Sequence, residues 1–330
     1  MNAHFPDHET VRTVLSLATR APSVHNTQPW RWRVGSGSLH LYADRRLHLP
    51  KTDPDSRDLV LSCGIALHHC VVAFAALGCQ AKIHRLPDPN DPEHLAAIEV
   101  RRQTANELDV SLAAAIPRRR TDRRRYSSWE VPANYIALLG ARATRTGVML
   151  RQMQSRSELK RVMAQAIQQH VTDYDYLSEL TVWSGRYAST AGVPARNTPE
   201  ADPAAPLPPR LFAGPVLGQP VDTEPADDNA VVLALGTRED TTLAQLRAGE
   251  ATSLMLLSAT ALGLASCPVT EPLEIRETRD AIQSEVFGLD AFPQMLLRIG
   301  WAPVDADALP ATPRRPLGDV VENLDGSRFR

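Results

Sequence analysis

The stretch APSVHNTQPWRWRV, residues 21–34, crowds rigid and polar groups ahead of an alternating run. Pro22 and Pro29 fix two φ angles. Ser23, Asn26, Thr27 and Gln28 add hydroxyl and amide groups that both donate and accept. Those types suit the rim of a planar ligand that mixes acceptors with an N–H donor, such as an isoalloxazine. A tight helix-to-strand corner capped by Asn26 or Thr27 accounts for the same residues. A second candidate is RRRTDRRRY, Arg118 to Tyr126, with six arginines in eight positions. Two or three fixed guanidinium groups beside a hydroxyl such as Thr121 make a phosphate clamp; the rest would pair with carboxylates or face water. The third is PRRPLGDVV, where Pro313 and Pro316 stiffen the backbone that presents Arg314 and Arg315.

Other chemistries lack their residues. There is no G-x-G-x-x-G, Walker loop or G-x-S-x-G elbow. Cys63, Cys70, Cys79 and Cys267 form no C-x-x-C pair, and Cys63 and Cys70 read as buried core thiols. The LHHC run (Leu67 to Cys70) has no second ligand cluster at zinc spacing, so no metal is expected. A net charge of -2, with 22% charged residues, predicts no general attraction to nucleic acid or membrane. The richest apolar run, LMLLSATALGLA, is interrupted by Ser258 and Thr260 and falls short of a span. The N-terminus lacks a signal pattern, and the chain reads as cytoplasmic.

The elements that position these segments follow from periodicity. Val11, Val14, Leu15 and Ala18 mark a helix ahead of the first candidate. Trp30, Trp32 and Val34 alternate with Arg31 and Arg33 as a half-buried strand, and GSGS turns it into LHLYA. Residues 56–78 are apolar on nearly every side, as in a central buried helix. AKIHR and HLAAIEVRR read as strands, 132–145 and 156–182 as helices, AVVLALG as a strand, 240–263 as a second buried helix and QMLLRIGW as a late strand.

CGIALHHCVVAFAALG (from Cys63) and AGEATSLMLLSATALG (from Ala248) match at Gly64/Gly249, Ala66/Ala251 and a closing Ala-Leu-Gly, 185 positions apart (63 to 248). A shorter echo, Ala-Thr-Arg at 18–20 and 143–145, precedes it in the same order. These suggest a duplicated unit with an insertion in the second copy. Residues 185–228 hold nine prolines and four glycines; with Trp183, Tyr187 and Phe212 as anchors, the segment reads as an ordered cover, the other possibility being disorder.

Together these motifs resemble the FMN-dependent nitroreductase superfamily. APSVHNTQPWRW is similar to its P-S-x-x-N-x-Q-P-W loop, RRTDRRRY to its R-x-S-x-R opening, LSATALGLASCPV to its central helix and flavin-facing turn, and PRRPLGDVV to its basic C-terminal segment. The nearest subgroup is the long, fused type represented by mycobacterial Acg. The resemblance implies an α+β fold of mainly antiparallel sheets flanking long central helices. It also implies an internal pseudo-dimer: residues 1–115 as one half, and 116–330 as the other with a lid at about 185–228. The front half has the amide loop without the arginines and the rear half the arginines without the loop, so one flavin site is expected.

By that resemblance Ser23, Asn26 and Gln28 line the isoalloxazine and ribityl, with His25 as a neighbour. Arg119, Thr121 and Arg123 hold the phosphate and pyrimidine edge, Arg314 or Arg315 holds the phosphate, and Val269 and Thr270 place backbone beside flavin N5. Glu271 stands where the family usually has glycine. No catalytic side chain is required. The implied activity is hydride transfer from NADH or NADPH through FMN to a nitroaromatic or quinone-type acceptor, in a monomer. The alternative is FMN storage beneath the lid, and a third possibility is a degenerate member that binds nothing.

Overall fold

A computed structural model describes residues 5–186, 189–202, 204–220, 224, 228–303 and 306–329; Tyr187 lies outside the described residues. Helix α1 (His8–Ala18) starts where the Asp7 carboxylate accepts from Thr10 N at 2.8 Å, satisfying a donor the first turn leaves free. It buries Val11, Val14, Leu15 and Ala18, the face its spacing predicts. Strands β1 (Trp30–Val34) and β2 (Leu39–Ala43) form the hairpin. Trp30 and Trp32 are fully buried, a contribution of about 2–3 kcal/mol each from apolar area. Helix α2 (Arg57–Ala76), strands β3 (Cys79–Arg85) and β4 (His94–Arg102), and helix α3 (Glu107–Ala115) complete the front half.

The rear half runs through helix α4 (Ala133–Arg145), strand β5 (Met149–Gln152) and helices α5 (Arg156–Thr172) and α6 (Tyr174–Trp183). The expected single helix over 156–182 divides because Asp173 turns out of it and caps α6, accepting from Asp175 N at 2.9 Å and Tyr176 N at 3.1 Å. Two short strands, β6 (Ser184–Arg186) and β7 (Val193–Pro194), open the proline-rich segment. Then follow β8 (Val231–Thr237), α7 (Thr242–Ala261), β9 (Ala265–Val269), the single turn α8 (Glu271–Glu274), α9 (Arg276–Ile282), β10 (Phe292–Gly300), the turn α10 (Leu317–Val320) and β11 (Val321–Asn323).

The fold is α+β. One sheet has the order β11-β1-β2-β4-β3 and the other β5-β8-β10-β9. Apart from β11, each sheet places its first, second, fourth and third strand side by side, with antiparallel pairing throughout. Strand β11 joins the front sheet, parallel to β1 with Trp32 opposite Val321. Spacing gave no hint of this return.

Between the sheets α2 crosses α7. Helix α2 is long and apolar enough to span a bilayer by length and composition, which corrects the expectation that no segment would be. It is a core helix, with 78% of its most apolar window buried in the protein. The crossing is close because glycine sits on both sides. A Cβ on Gly64 would stand 2.2 Å from the Leu246 carbonyl oxygen, and one on Gly249 2.2 Å from that of Leu61. Residues 61 and 64 are matched by 246 and 249 at the repeat spacing, so each helix offers the other the same contact. His68 and His69 of the LHHC run bond the Ser253 hydroxyl through their Nδ1 atoms at 2.7 and 2.9 Å. All four cysteines are buried and free.

Candidate functional site

The loop after α1 adopts a backbone that few side chains favour. His25, Asn26 and Gln28 have φ of 43°, 55° and 56°, at a cost of about 1 kcal/mol each for residues other than glycine. Local bonds hold it there: Gln28 N donates to Ser23 Oγ at 2.9 Å, Thr27 Oγ1 donates to the Val24 carbonyl at 2.9 Å, and Val24 N donates to Ser62 Oγ on α2 at 3.1 Å. Ser23 and His25 face a cavity of about 320 Å³. Its floor is the face of α2 that carries Asp58, Leu61, Ser62 and Ile65; its far wall includes Val269, Thr270 and Glu271 from the end of β9 and the start of α8. Thr121 and Arg123 also line it, as do residues of the proline-rich segment including Arg210 and Phe212.

Asn26 and Gln28 are placed differently from the expectation that they line a ligand. Both are buried, with side-chain amides spent on protein. Asn26 Nδ2 donates to the carbonyls of Gly192 (3.0 Å) and Pro313 (3.2 Å), and its Oδ1 accepts from Arg314 Nη1 at 3.0 Å. Gln28 Nε2 donates to the Thr190 carbonyl at 2.8 Å while its Oε1 accepts from Arg315 N at 2.8 Å. These amides tie the loop to the C-terminal segment and to the proline-rich segment. The Arg315 side chain reaches the Asp319 carbonyl at 3.0 Å, and neither Arg315 nor Arg314 is among the cavity-lining residues.

The arginine run divides by partner. Arg124 is ion-paired with Asp122 at 2.9 Å and Arg125 with Asp202 at 2.7 Å. Arg119 and Arg123 have no carboxylate partner among the described residues. Arg119 donates to Thr121 Oγ1 at 3.3 Å, and Arg123 donates to the Asn197 carbonyl at 3.2 Å and lies 5.0 Å over the Phe212 ring. Burial and then the charges of Arg120, Arg123 and Arg20 bring Arg119 down to about 10. Burial and then Arg119, Arg20 and Arg120 bring Arg314 down to about 9. The Nε atoms of Arg20, Arg119 and Arg314 are buried without a partner. These three cations are crowded and desolvated, and none of them is among the cavity-lining residues. Burial, with the charges of Arg210, Arg123 and His170, also pushes the His25 imidazole well below its usual range.

Several residues of the opposite wall gave no signal in the sequence. Arg210, deep in the proline-rich segment, forms a forked pair with Glu274 at 2.6 and 2.7 Å and donates to the Tyr176 hydroxyl at 2.8 Å and to Thr270 Oγ1 at 3.1 Å. His170 on α5 stacks on Tyr176, centroids 3.9 Å apart, and its Nδ1 lies 3.0 Å from Glu271 Oε1. Glu271, whose side chain stood in question, thus turns toward α5. A histidine in the last turn of a helix and an arginine among prolines look like ordinary surface residues until the fold joins them.

The nitroreductase family model matches residues 148–301. The Mycobacterium tuberculosis (strain H37Rv) protein named "Putative NAD(P)H nitroreductase Rv3131" is 65% identical over 98% of this chain and 94% of its own length. The one named "Putative NAD(P)H nitroreductase acg" from the same strain is 34% identical over 94% of this chain and 95% of its own. Among solved structures, a nitroreductase with bound FMN from Bacteroides fragilis aligns with TM-score 0.40 at 15% identity, covering 62% of this chain and 92% of that one. The FMN-dependent nitroreductase NfnB from Mycobacterium smegmatis, in complex with NADPH, aligns with TM-score 0.38 at 17% identity, covering 64% and 98%. On the sequence likeness, which runs nearly from end to end, the chain belongs to the nitroreductase family.

Proposed function

We propose that the chain binds one FMN and passes hydride from NADH or NADPH to a nitroaromatic or quinone-type acceptor. The observation that supports this most is the buried guanidinium cluster, in which the Nε atoms of Arg119 and Arg314 have no acceptor. A ribityl phosphate supplies oxygens of the right charge and number to take up those donors. The relatives named for NAD(P)H nitroreductase activity favour the same reaction. When bound, FMN supplies the two-electron chemistry, and the protein has only to bind, orient and exclude water.

In this reading Arg119 and Arg314 hold the phosphate, with Thr121 and Arg123 along the ribityl and pyrimidine. Ser23 and His25 form one wall and the Val269–Thr270 backbone the opposite edge. Asn26, Gln28 and Arg315 act as positioning residues that lock loop and C-terminal segment together. We read residues 1–115 and 116–330 as two copies of one unit; the shared strand order and the reciprocal Gly64/Gly249 contact support this. A site built from both copies within one chain needs no partner subunit, so the protein acts as a monomer.

A second reading, FMN storage, is favoured by the cover. Residues between Val193 and Gln219 line the cavity, and Arg210 is pinned to Glu274. Anaerobic NADH and NADPH added to FMN-loaded protein distinguish the two. Bleaching of the flavin absorbance within seconds supports the reductase, persistent yellow colour supports storage, and colourless protein that takes up no FMN refutes both.

A further inference from the structure

The front sheet carries a line of polar side chains on the face turned away from the core. Leu39 and Leu41 of β2 are fully buried, so alternation turns His40 outward, and Ser38, two residues earlier, shares its face. His94 opens β4 opposite Tyr42 and therefore lies diagonal to His40 on the neighbouring strand. The pairing brings three half-buried groups together. Ser38 Oγ lies 2.8 Å from His40 Nε2, and His40 Nδ1 lies 3.0 Å from His94 Nε2. The Tyr42 ring stacks on His94, centroids 4.4 Å and planes 12° apart, which holds the outer imidazole in place. Burial, then the charges of His94 and Arg33, lowers the His40 pKa, and burial lowers that of His94 against the pull of Asp91 and Asp88. Both rings are therefore mainly neutral at pH 7. None of the three residues lines the cavity.

A hydroxyl, an imidazole and a third group that orients the imidazole are the parts of an activated nucleophile. With the proton of neutral His40 on Nδ1, that N–H donates to His94 Nε2, and His40 Nε2 accepts from Ser38 Oγ. The turn before β2 supplies free donors as well. Gly35 N donates to the Ser38 carbonyl at 2.8 Å, whereas the N–H groups of Gly37 and Ser38 have no partner among the described residues. A Cβ built on Gly37 would meet nothing within 4 Å, so the approach to the turn is open. We propose that Ser38, His40 and His94 form a second site, independent of flavin, that hydrolyses small activated esters through an acyl-serine. Ser38 Oγ attacks the ester carbonyl carbon as its proton passes to His40 Nε2. The ester C–O bond then breaks, and the alcohol leaves with that proton. Water attacks the acyl carbon in the same way, giving a proton to His40, and Ser38 takes the proton back as the acid departs. The Gly37 and Ser38 N–H groups are the donors for the developing oxyanion. His94 is a positioning residue. An open sheet face gives a long chain nothing to bury against, so the substrates are short acyl esters.

The test mixes the full chain with p-nitrophenyl acetate, follows p-nitrophenolate absorbance and maps acetylated residues by mass spectrometry. Release faster than that from an equal concentration of free imidazole is expected, with the acetyl group on Ser38. Ser38→Ala removes both signals, and His40→Gln slows release about a hundredfold. His94→Phe keeps the stacking on Tyr42 but removes the acceptor, lowering kcat roughly tenfold with KM unchanged. His94→Asn restores an acceptor and most of the rate. Matched melting temperatures show that each variant is folded, and acetylation of Ser38 in the wild-type protein is read without any variant. No release above free imidazole, acetylation elsewhere with Ser38 unmodified, or an unchanged rate in Ser38→Ala overturns the proposal. Equal rates in His94→Phe and the wild type would overturn the role of His94. The reaction is expected to run alike in flavin-free and FMN-loaded protein, so failure of the flavin assignment leaves this result standing.

Discussion

Ile65 and Thr270 line the open cavity, whereas Glu250 and Arg85, their counterparts at the repeat spacing of 185 (65 to 250, 85 to 270), close on each other. Arg85 Nε and Nη2 grip the two Glu250 oxygens at 2.7 Å each, with the carboxylate 9% exposed. The backbones around these positions correspond: α2 and α7 are both 20 residues long, and Gly78 and Gly263 after them have φ of 75° and 81°. Matching scaffolds therefore lead to different ends of the helix pair. On one side small and apolar residues leave room, and on the other a long forked ion pair occupies the corresponding place. Side-chain volume and mutual neutralisation separate the filled end from the open one, with no difference in helix length.

The sharpest way to break this comparison is to strip charge from each side in turn. If Arg119 and Arg314 hold the phosphate as proposed, replacing both by alanine removes two charge-assisted contacts at about 2 kcal/mol each, and FMN affinity is expected to fall roughly 10³-fold. The double change Arg85→Ala/Glu250→Ala leaves flavin per chain unchanged in the same absorbance titration. Comparable losses from both would mean that the two ends are not different in kind.

A smaller effect tests the shared scaffold. Gly64→Ala and Gly249→Ala each drive a methyl group to within 2.2 Å of a facing carbonyl, and each is expected to cost about 3 kcal/mol in urea unfolding. Similar losses sharpen the likeness of the two helices; tolerance at one glycine alone would show that the crossing is not reciprocal. Smaller again is the value of the ion pair. Glu250→Ala strands a half-buried guanidinium and costs about 2 kcal/mol, while leucine at both 85 and 250 returns most of that loss in the same melts.

The smallest effect concerns the starts of the two helices. At α2 the Asp53 carboxylate accepts from Asp58 N (3.0 Å) and Leu59 N (2.8 Å), whereas α7 is capped by the Thr241 hydroxyl, which accepts from Ala244 N at 3.3 Å. Burial, then the charge of Asp58, raises Asp53 to about 8, and burial raises Asp58 to about 6. The folded protein therefore keeps protons on these groups that the unfolded chain has shed above about pH 4. Their contribution makes stability fall as pH rises from about 4 to about 8. Asp58→Asn flattens that decline in melts across the range, and an unaltered slope would show that the acid pair does not set it.

How far the sequence disclosed all this varied with the range of the interactions. LHLYA, AKIHR and HLAAIEVRR coincide with β2, β3 and β4, because alternation is a local property. The two buried helices were legible within a few residues for the same reason, and Ser23, His25, Thr121, Arg123, Val269 and Thr270 all reach the cavity wall. What the Asn26 and Gln28 amides face was not legible, since all but one of their partners lie more than 160 residues away and a loop motif does not say which edge meets backbone. Strand β5, with four residues, and β11, with three, are too short for periodicity to register. The His170–Glu271–Arg210 wall joins a helix, a turn and a proline-rich segment, none of which signals the others.

Strand β11 also decides what happens to a severed molecule. A fragment ending near residue 115 would leave the Trp32–Val34 edge, which β11 satisfies in the whole chain, as a bare row of amides and carbonyls. Such an edge recruits strands from other molecules. The front portion expressed alone would precipitate or pair with itself, and a synthetic peptide spanning Val321–Phe329 would be its natural solubiliser.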